Sequence, residues 1–511
     1  MKRLTFWVIF MILKVKSFGF NPCTSSTILS TKSGNPKQSA WQVDGTKAPL
    51  SGCVPTLRLP ISLYATENDD DDEIKQTTTF VIIGGTGRIG TAIASHLLLR
   101  KPQSSQIILV GRDESRGMEA VKEIVDETTI ATNINTQKLV SYKNCNWKND
   151  EELEGVIKNA DCVIHTAGPF LQEEPKPLEK AIASKRCKAY IDVSDPLDFL
   201  DKSLQMNDIA RDSGTTALLA AGAFPGMSNV LAMEAASKLD TDDCVKDVRF
   251  NYFTAGLGGS GDVNLYITNL GFGEPMVQYN NGGLRCYEDL SGSLLGKVNF
   301  FLDRVETSKS KSDNLVAKER IGSRTVFSWP FPEAATVARE LGASGQSSAA
   351  MGTAPEIWNT MLGILVTLVP RKLWKSTQFS KFLADFSQPL VKLTDAILCI
   401  TSPDKVGETH AMQVDVIGES GSAVSCVQAH ESFRRCVGQS CAEFALDLLE
   451  YPQTGVFLPE QRYTQDIPRN RIIKKLTTTP GTFAFTGAGR VKAAPAPTDL
   501  SEALEKANAY V

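Results

Sequence analysis

The sequence has few histidines, no C-x-x-C pair and no excess of positive charge. Its 511 residues include only 4 His, and the 11 Cys are scattered along the chain. A metal site of the zinc type is therefore not expected, and an odd number of cysteines argues against a disulfide framework. The cysteines are expected as buried thiols in a reducing compartment. A formal net charge of −4 leaves no basic face for nucleic acid. The class of protein that remains is a globular enzyme, and the chain is long enough for two domains.

The strongest motif lies between Thr77 and Gly90. An unbroken apolar run at 80–83 predicts a strand buried on both faces of a parallel sheet, and the residues after the glycines predict a helix. In the G-x-G-x-x-G spacing, Gly85 permits a tight turn, Gly87 leaves room for a pyrophosphate, and the last glycine lets the helix pack on the strand. The alternative is a glycine-rich turn of another α/β protein. The expected cofactor-binding residues of this loop are Gly85, Thr86, Gly87, Arg88, Ile89 and Gly90.

A second spacing of the glycines must also be considered. Gly84, Gly87 and Gly90 fit the G-x-x-G-x-x-G of short-chain dehydrogenases. Those enzymes need a Tyr-x-x-x-Lys pair, in which the lysine lowers the pKa of the tyrosine. None of the ten tyrosines has a lysine four residues later, so this class is excluded.

The end of the second predicted strand, Ile107–Val110, bears on the choice of cofactor. NAD-dependent enzymes usually carry a carboxylate here that binds the ribose 2′-hydroxyl, whereas this strand ends at Gly111. Arg112 and Arg116 follow, and their guanidinium groups suit a 2′-phosphate. NADP(H) is therefore favoured, while Asp113 keeps NAD(H) open as the alternative.

The nucleotide domain continues as alternating strands and helices. The fourth strand ends in the small residues of a bend that lets the backbone approach the nicotinamide ribose, and the fifth strand is Ala189–Val193. This alternation predicts a doubly wound parallel sheet with its ligands at the carboxyl ends of the strands. His165 lies within an apolar strand end and is interpreted as a packed histidine rather than a catalytic one. The cofactor-binding residues expected at the bend are Thr166, Ala167, Gly168 and Pro169.

Polar residues at the end of the fifth strand are the catalytic candidates. Tyr190, Asp192 and Asp195 lie where this geometry brings the nicotinamide, and one of them would donate or accept a proton. The alternatives are that Tyr190 only packs and that the aspartates cap the following helix. Ser228 and Asn229 are expected to bind substrate or to cap the next helix.

From Val245 the pattern changes to half-buried alternating strands. Tyr279–Gly283 contains the Asn-Gly signal of a tight hairpin, and Met412–Val427 is expected to pair about Glu419–Gly421. These strands predict a mixed or antiparallel sheet. The segment 354–399 is too broken by Pro and Arg to span a membrane. It is interpreted as core or dimer helices, with peripheral membrane contact as the less favoured alternative.

The first 75 residues have the composition of targeting sequence. A basic start precedes the short apolar run Leu4–Leu13, and Gly19–Pro22 resembles the cleavage motif of bipartite presequences in algae with secondary plastids. The serine- and threonine-rich segment that follows is poor in acidic residues. Localisation to the plastid is therefore expected, with the secretory pathway as the alternative. The predicted organisation is a signal peptide at 1–19, a transit peptide and linker at 20–75, a Rossmann domain at 76–225, a substrate and dimerisation domain at 226–460 whose end is allowed to return to the Rossmann domain, and a C-terminal tail at 461–511.

Four motifs together carry a family resemblance. GGTGRIG, DCVIHTAGPF, AYIDVSD and GAFPGMSNVLAMEA occur in this order, and the chain resembles the saccharopine dehydrogenase-like oxidoreductases from about Thr78 to Pro459. The resemblance implies a split Rossmann-type doubly wound parallel sheet, a second α+β domain with a mixed or antiparallel sheet, and a homodimer. The expected fold class is α/β.

The expected activity follows from this resemblance and the cofactor motif. It is NADP(H)-dependent hydride transfer to or from a small amino-acid-derived substrate or a lipid or isoprenoid substrate. The alternative is a non-catalytic nucleotide-binding or scaffold protein that retains the fold. No metal and no nucleic-acid partner are expected.

Overall fold

The computed structural model describes residues 77–101, 104–255, 262–288, 290–300, 320–354, 356–401 and 409–491. The strands are β1 (Thr78–Ile83), β2 (Ser105–Gly111), β3 (Val140–Asn144), β4 (Cys162–His165), β5 (Ala189–Asp192), β6 (Thr216–Leu218), β7 (Val245–Ala255), β8 (Met276–Asn280), β9 (Gly283–Tyr287), β10 (Leu294–Asn299), β11 (Ser323–Ser328), β12 (Ser347–Ala354), β13 (His410–Gly418), β14 (Ala423–His430), β15 (Gly455–Phe457) and β16 (Thr482–Val491). The helices are α1 (Arg88–Arg100), α2 (Glu114–Thr132), α3 (Asp150–Ile157), α4 (Lys176–Ala183), α5 (Leu197–Leu204), α6 (Asn207–Ser213), α7 (Met227–Ala236), α8 (Asp262–Gly271), α9 (Glu333–Glu340), α10 (Glu356–Leu368), α11 (Arg371–Trp374), α12 (Thr377–Thr401), α13 (Phe433–Glu450), α14 (Pro459–Arg462) and α15 (Asp466–Thr477).

The first sheet is parallel and has the order β15-β6-β5-β4-β1-β2-β3 within the described chain. Its central strand β1 is fully buried from Phe80 to Ile83, as the unbroken apolar run predicts. The chain runs outward from β1 through β2 to β3 and then crosses back to β4, on the other side of β1. The topological switch point therefore lies between β1 and β4, where doubly wound sheets bind their ligands.

The domain that contains the first sheet is discontinuous in sequence. After the second domain the chain returns as α13, which packs on α1 so closely that a Cβ at Gly438 would lie 2.7 Å from Cβ of Ala92. A buried hydrogen bond joins the same two helices, with 2.7 Å between Nε2 of His96 and Oε1 of Glu443. Strand β15 then adds to the first sheet parallel to β6.

The second sheet is mixed and has the order β10-β11-β12-β7-β13-β14-β16 in the part of the chain described. Strands β12 and β7 are parallel, and the other neighbours are antiparallel. Both predicted hairpins are confirmed. Strand β13 pairs with β14, and β8 pairs with β9 through Asn281 and Gly282, whose positive φ values of 51° and 70° fit a tight hairpin turn.

The two sheets share one hydrophobic core. Ile82 of the first sheet, Phe224 of the loop after β6, and Phe250 and Val414 of the second sheet belong to a single buried cluster. Helix α7 carries the chain from one sheet to the other and packs on β13 and β14. The junction between the sheets is therefore apolar and closely packed.

The boundary of the C-terminal tail needs correction. Residues 461–491 are not a tail, because they form α15 and β16, and β16 pairs antiparallel with β14 at the edge of the second sheet. The glycines and threonines of this segment hide its strand character. The predicted signal peptide, transit peptide and linker, and residues 492–511, lie outside the described residues. Among the helices of the described chain, none has both the length and the apolar character needed to cross a bilayer.

Candidate cofactor and active site

The glycine-rich loop after β1 turns under tight steric limits. Gly84 has φ of +80°, and a Cβ there would lie 2.8 Å from the backbone nitrogen of Ala167. The left-handed turn is thus at Gly84, whereas the sequence reasoning put it at Gly85. A Cβ at Gly85 would lie 3.0 Å from Cα of Leu109 on β2, and a Cβ at Gly90 would lie 2.6 Å from Cα of Gly85. These glycines let the loop, the helix and two strands approach closely.

Gly87 differs from the other glycines of the loop. A Cβ there would contact only the carbonyl oxygen of Gly84, at 3.1 Å, and would otherwise point into open space. Gly87 is also the N-cap of α1, whose first turn has no side-chain cap and no acidic residue. Anions are stabilised at such a helix N-terminus. The loop therefore fits a pyrophosphate beside Gly87.

The carboxyl end of β2 presents two arginines. Arg112 and Arg116 are exposed, and neither forms an ion pair with any described residue. The Asp113 carboxylate accepts a hydrogen bond from the backbone nitrogen of Arg116 at 3.1 Å and caps α2. The phenol of Tyr142 donates to the carbonyl oxygen of Gly111 at 3.0 Å. The Asp113 carboxylate thus serves the backbone, and the arginines fit a ribose phosphate.

The loop after β4 lies directly against the glycine-rich loop. Thr166 donates its backbone N–H to the carbonyl oxygen of Ile83 at 2.8 Å and its hydroxyl to the same oxygen at 3.0 Å. Gly168 and Pro169 are exposed. The predicted cofactor-binding residues of β1 and β4 are therefore neighbours. We call the surface formed by Gly84–Gly90, Thr166–Pro169 and Val193–Asp195 the cofactor edge.

His165 is a packed residue, as interpreted from the sequence. It is fully buried, with its ring centroid 5.0 Å from that of Trp147 and 4.8 Å from that of Phe170. Its Nδ1 lies 3.4 Å from the phenol oxygen of Tyr190. Burial lowers the pKa of His165 to about 3, so that the ring is neutral at physiological pH.

Tyr190 and Asp192 are held by hydrogen bonds within the protein, which favours the alternative in which their role is structural. Both side chains are fully buried. The Asp192 carboxylate accepts hydrogen bonds from the hydroxyl of Ser194 at 2.6 Å, the backbone nitrogen of Ala220 at 3.0 Å and the phenol of Tyr190 at 3.2 Å. Because β5 is central in the sheet, its alternate side chains point into the two packed layers. Asp192 and Tyr190 therefore hold the ends of β5 and β6 together.

Asp195 is the accessible acid of the predicted three. Its side chain is exposed, yet the surrounding protein desolvates it, and this effect together with the charge of Glu274 raises the pKa of Asp195 to about 6. Glu274 belongs to the second domain, so Asp195 lies near the junction of the two domains. Helix α5 begins after Pro196 without any side-chain cap, so Asp195 does not cap it. No described residue forms an ion pair with Asp195.

Ser228 and Asn229, predicted to bind substrate, are buried at the start of α7 and do not line the cofactor edge. The amide oxygen of Asn229 accepts from the backbone nitrogen of Gly226 at 2.9 Å and from the Ser228 hydroxyl at 3.2 Å. The amide nitrogen of Asn229 donates to Oε2 of Glu460 at 2.7 Å. The sequence alternative, capping of the following helix, therefore describes Asn229.

An aromatic cluster centred on Phe224 joins the two domains. Phe224 stacks on Tyr252, with ring centroids 4.1 Å apart and planes 13° apart. The rings of Phe331, His410 and Phe433 surround it at centroid distances of 5.4, 5.0 and 5.0 Å. This cluster connects the loop after β6 to the second sheet and α13.

Behind this cluster lies an acid that the sequence reasoning missed. The phenol of Tyr252 donates a hydrogen bond to Oε1 of Glu333, and both side chains are fully buried. Burial is the main cause that raises the pKa of Glu333 to about 8. The only signal in the sequence is one acid within the otherwise uncharged run 329–338, which equally fits an exposed first turn of a helix.

An open groove of about 730 Å³ lies elsewhere, between β10, β11 and α10 of the second domain. Phe327, Ile364 and Leu368 give it an apolar lining. None of the predicted site residues lines this groove. It is therefore separate from the cofactor edge.

Comparison with known proteins identifies the nucleotide domain. Residues 80–218 match the family model of the saccharopine dehydrogenase NADP binding domain. Over these residues, the resemblance to the saccharopine dehydrogenase-like oxidoreductases that the motifs predicted is confirmed. Among curated proteins, none matches the chain in sequence.

Several solved structures are similar to parts or most of this chain. Apo saccharopine dehydrogenase (L-Glu forming) from Saccharomyces cerevisiae is similar over 81% of this chain and 100% of its own, with 11% identity and a TM-score of 0.51. GenD2 from gentamicin A biosynthesis, in complex with NAD, is similar over 82% of this chain and 98% of its own, with 13% identity and a TM-score of 0.34. Pen from Bacillus thuringiensis is similar over 41% of this chain and 61% of its own, with 17% identity and a TM-score of 0.23. The yeast enzyme shares the α/β fold with a parallel and a mixed sheet.

Proposed function

We propose that this protein is an NADP(H)-dependent oxidoreductase that transfers a hydride between the cofactor and a small substrate at the cofactor edge. One observation carries the proposal: the family match to an NADP-binding domain coincides with a glycine-rich loop that is open only beside Gly87, at an uncapped helix N-terminus. When bound, the cofactor supplies or accepts the hydride. Residues of the chain bind and orient the cofactor, and one of them donates or accepts a proton.

The arrangement at the end of β2 supports NADP(H) over NAD(H). A 2′-phosphate needs cationic donors, and Arg112 and Arg116 are exposed and without ion-pair partners among the described residues. A 2′-hydroxyl needs a carboxylate acceptor, and Asp113 is used to cap α2. If the Asp113 carboxylate were released from its capping hydrogen bond, it would be available to a ribose 2′-hydroxyl. The site would then suit NAD(H) as well as NADP(H).

The charges beside Asp195 support a substrate with a C=N bond or the corresponding amine over a lipid or isoprenoid. Asp195 has no ion-pair partner among the described residues, and its charged neighbour is another acid, Glu274. A protonated nitrogen would relieve this repulsion, whereas a hydrocarbon would not. In the direction of reduction, the C=N carbon gains the hydride and the nitrogen gains a proton. We assign the donation of that proton to Asp195.

The test is turnover of NADPH with defined substrates. Carbonyl compounds are mixed with amines, so that imines form in solution, and neutral enals of isoprenoid type serve as the competing class. We expect NADPH oxidation that depends on the amine, and an Asp195→Asn variant with reduced kcat. Asp198→Asn removes a neighbouring exposed carboxylate from α5 and should leave kcat unchanged. Binding of NADPH without turnover of either class would favour the non-catalytic nucleotide-binding protein.

A further inference from the structure

Glu333 is an acid enclosed in the second domain without a counter-charge. It is the first residue of α9 and is fully buried. Tyr252 donates a hydrogen bond to its Oε1, and its Oε2 is buried without any partner. No Lys, Arg or His of the described chain forms an ion pair with it. An isolated buried carboxylate is costly unless it is paired, so Glu333 is favoured as the neutral acid.

The titratable groups around Glu333 are few. Strand β7 contributes Tyr252, α14 contributes Glu460, and the loop after β5 contributes Asp195. The other elements that pack on α9 are β8, β12 and α7. Burial is the largest of the causes that raise the pKa of Glu333 to about 8. The charges of Glu460 and Asp195 also raise it. Glu333 is therefore electrostatically coupled to the accessible acid of the cofactor edge.

Aromatic rings separate Glu333 from the loop after β6. Tyr252, which holds its carboxyl group, stacks on Phe224 with centroids 4.1 Å apart. Phe331 meets the Tyr252 ring edge-on with centroids 5.1 Å apart. Such apolar material screens charge poorly compared with water. Asp195 of the cofactor edge acts electrostatically on Glu333, so a charge on Glu333 would in turn act at that edge.

We propose that Glu333 is a charge-sensing positioning residue, neutral when the cofactor edge holds the uncharged nicotinamide of NADPH and ionised when it holds the positively charged ring of NADP⁺ or a cationic substrate. Ionisation breaks only the O–H bond of Glu333, and the proton leaves to solvent. This inference rests on the proposed function, since it requires the cofactor to bind at that edge. Because linkage is reciprocal, an ionised Glu333 must strengthen the binding of the cation by the same factor.

The experiment compares the affinities of NADP⁺ and NADPH at pH values below and above about 8, the pKa of Glu333. The ratio of the two dissociation constants is used, because titration of the 2′-phosphate is common to both forms and cancels. We expect binding of NADP⁺ relative to NADPH to strengthen about tenfold as Glu333 ionises, because the two opposite charges attract each other across apolar side chains.

Three variants test the residue. Glu333→Gln should remove the pH-dependent strengthening, whereas Glu340→Gln, the same change at the exposed end of α9, should retain it. Tyr252→Phe removes the hydrogen bond that stabilises the ionised carboxylate, so the strengthening should move to higher pH. A merely structural role of Glu333 would not produce this shift in pH. The Tyr252→Phe variant therefore tests the proposal even if Glu333→Gln fails to fold.

The possible failures are distinguishable. If the protein binds both cofactor forms with a ratio that does not change with pH, the inference is overturned and the proposed function stands. Retention of the pH-dependent strengthening in a folded Glu333→Gln variant overturns it as well. Binding of neither form overturns both the inference and the proposed function.

Discussion

The hydroxyl of Ser194 donates to the Asp192 carboxylate across 2.6 Å, and both residues are completely buried. Asp192 has the sequence position of a catalytic acid, at the carboxyl end of β5. Its oxygens also accept from the backbone nitrogen of Ala220 and from Tyr190. Only Asp195, three residues later, is exposed. Asp192 thus stabilises the sheet, whereas Asp195 lies at the surface.

Stability measurements should separate these two acids. Asp192→Ala leaves several buried donors without an acceptor, and we expect it to lower the free energy of unfolding by roughly 3 kcal/mol. Asp195→Ala removes an exposed side chain and should change it by less than about 0.5 kcal/mol. Urea denaturation followed by circular dichroism measures both. Equal losses in the two variants would show that Asp195 is also structural.

The arginines after β2 predict the preference for cofactor. We expect NADPH to bind more tightly than NADH, and Arg112→Ala to narrow the gap about tenfold by removing one charge-assisted contact to the phosphate. Cofactor fluorescence titration gives both affinities. Lys122→Ala removes one exposed positive charge from α2 farther along and should leave the gap unchanged. Equal affinities of the unmodified protein for NADPH and NADH would refute the assignment.

The sequence was most informative where local chemistry determines the structure. The apolar run at 80–83 and the Asn-Gly turn at 281–282 have one strongly favoured conformation each, and both were predicted correctly. In the glycine-rich loop the left-handed residue is Gly84 rather than Gly85. Whether an acid near the end of β5 lies in the core or at the surface depends on where β5 ends relative to β4 and β6. That end point is a tertiary property which one sequence does not reveal.

The burial of Glu333 could not be predicted from the sequence for a similar reason. An acid in the first turn of a helix is usually exposed and favourable there, and its burial results from contacts with Tyr252, which precedes it by 81 residues. The strand β16 was missed because its glycines and threonines resemble a loop, and pairing with β14 gives it structure. In each case long-range packing overrides the local pattern.

Two glycine substitutions should separate cofactor binding from folding. A side chain at Gly87 meets only one backbone oxygen, and the residue has an extended backbone with φ of −81°. Gly87→Val should therefore fold with nearly unchanged stability and bind NADPH at least about 100-fold more weakly, because its methyl groups occupy the expected pyrophosphate position. Gly90→Val should instead destabilise the fold, since its Cβ would lie 2.6 Å from Gly85 Cα. Thermal melting and fluorescence titration distinguish them, and tight binding by folded Gly87→Val would place the phosphates elsewhere.

The start of the chain predicts its destination. A signal peptide at 1–19 followed by a transit segment at 20–75 should direct a fused fluorescent protein to a secondary plastid. Phe20→Ala should leave the fusion outside the stroma, because the aromatic residue at the cleavage site is the feature expected to be recognised. Microscopy in an alga with such a plastid measures the outcome, with Phe18→Ala as the matched control. Secretion of the unmodified fusion into the medium would contradict the plastid assignment.

The pH dependence of stability gives a test of Glu333 that requires no cofactor. Its pKa is about 8 in the folded protein, against an ordinary value of 4.5. The folded state therefore binds a proton that the unfolded state releases between these two pH values. The stability linked to this proton is fully present below about pH 4.5 and is lost as the pH rises through about 8. Glu333→Gln keeps the side chain neutral at every pH.

We therefore expect the free energy of unfolding of Glu333→Gln, relative to the unmodified protein, to increase by a few kcal/mol as the pH rises between those limits. Glu340→Gln, exposed on the same helix, should show no such trend. Chemical denaturation at a series of pH values provides the comparison, and the difference between variants cancels the other titrating groups. A difference that falls with pH would mean that Glu333 is ionised and paired in the folded protein, because only a lowered pKa gives that sign.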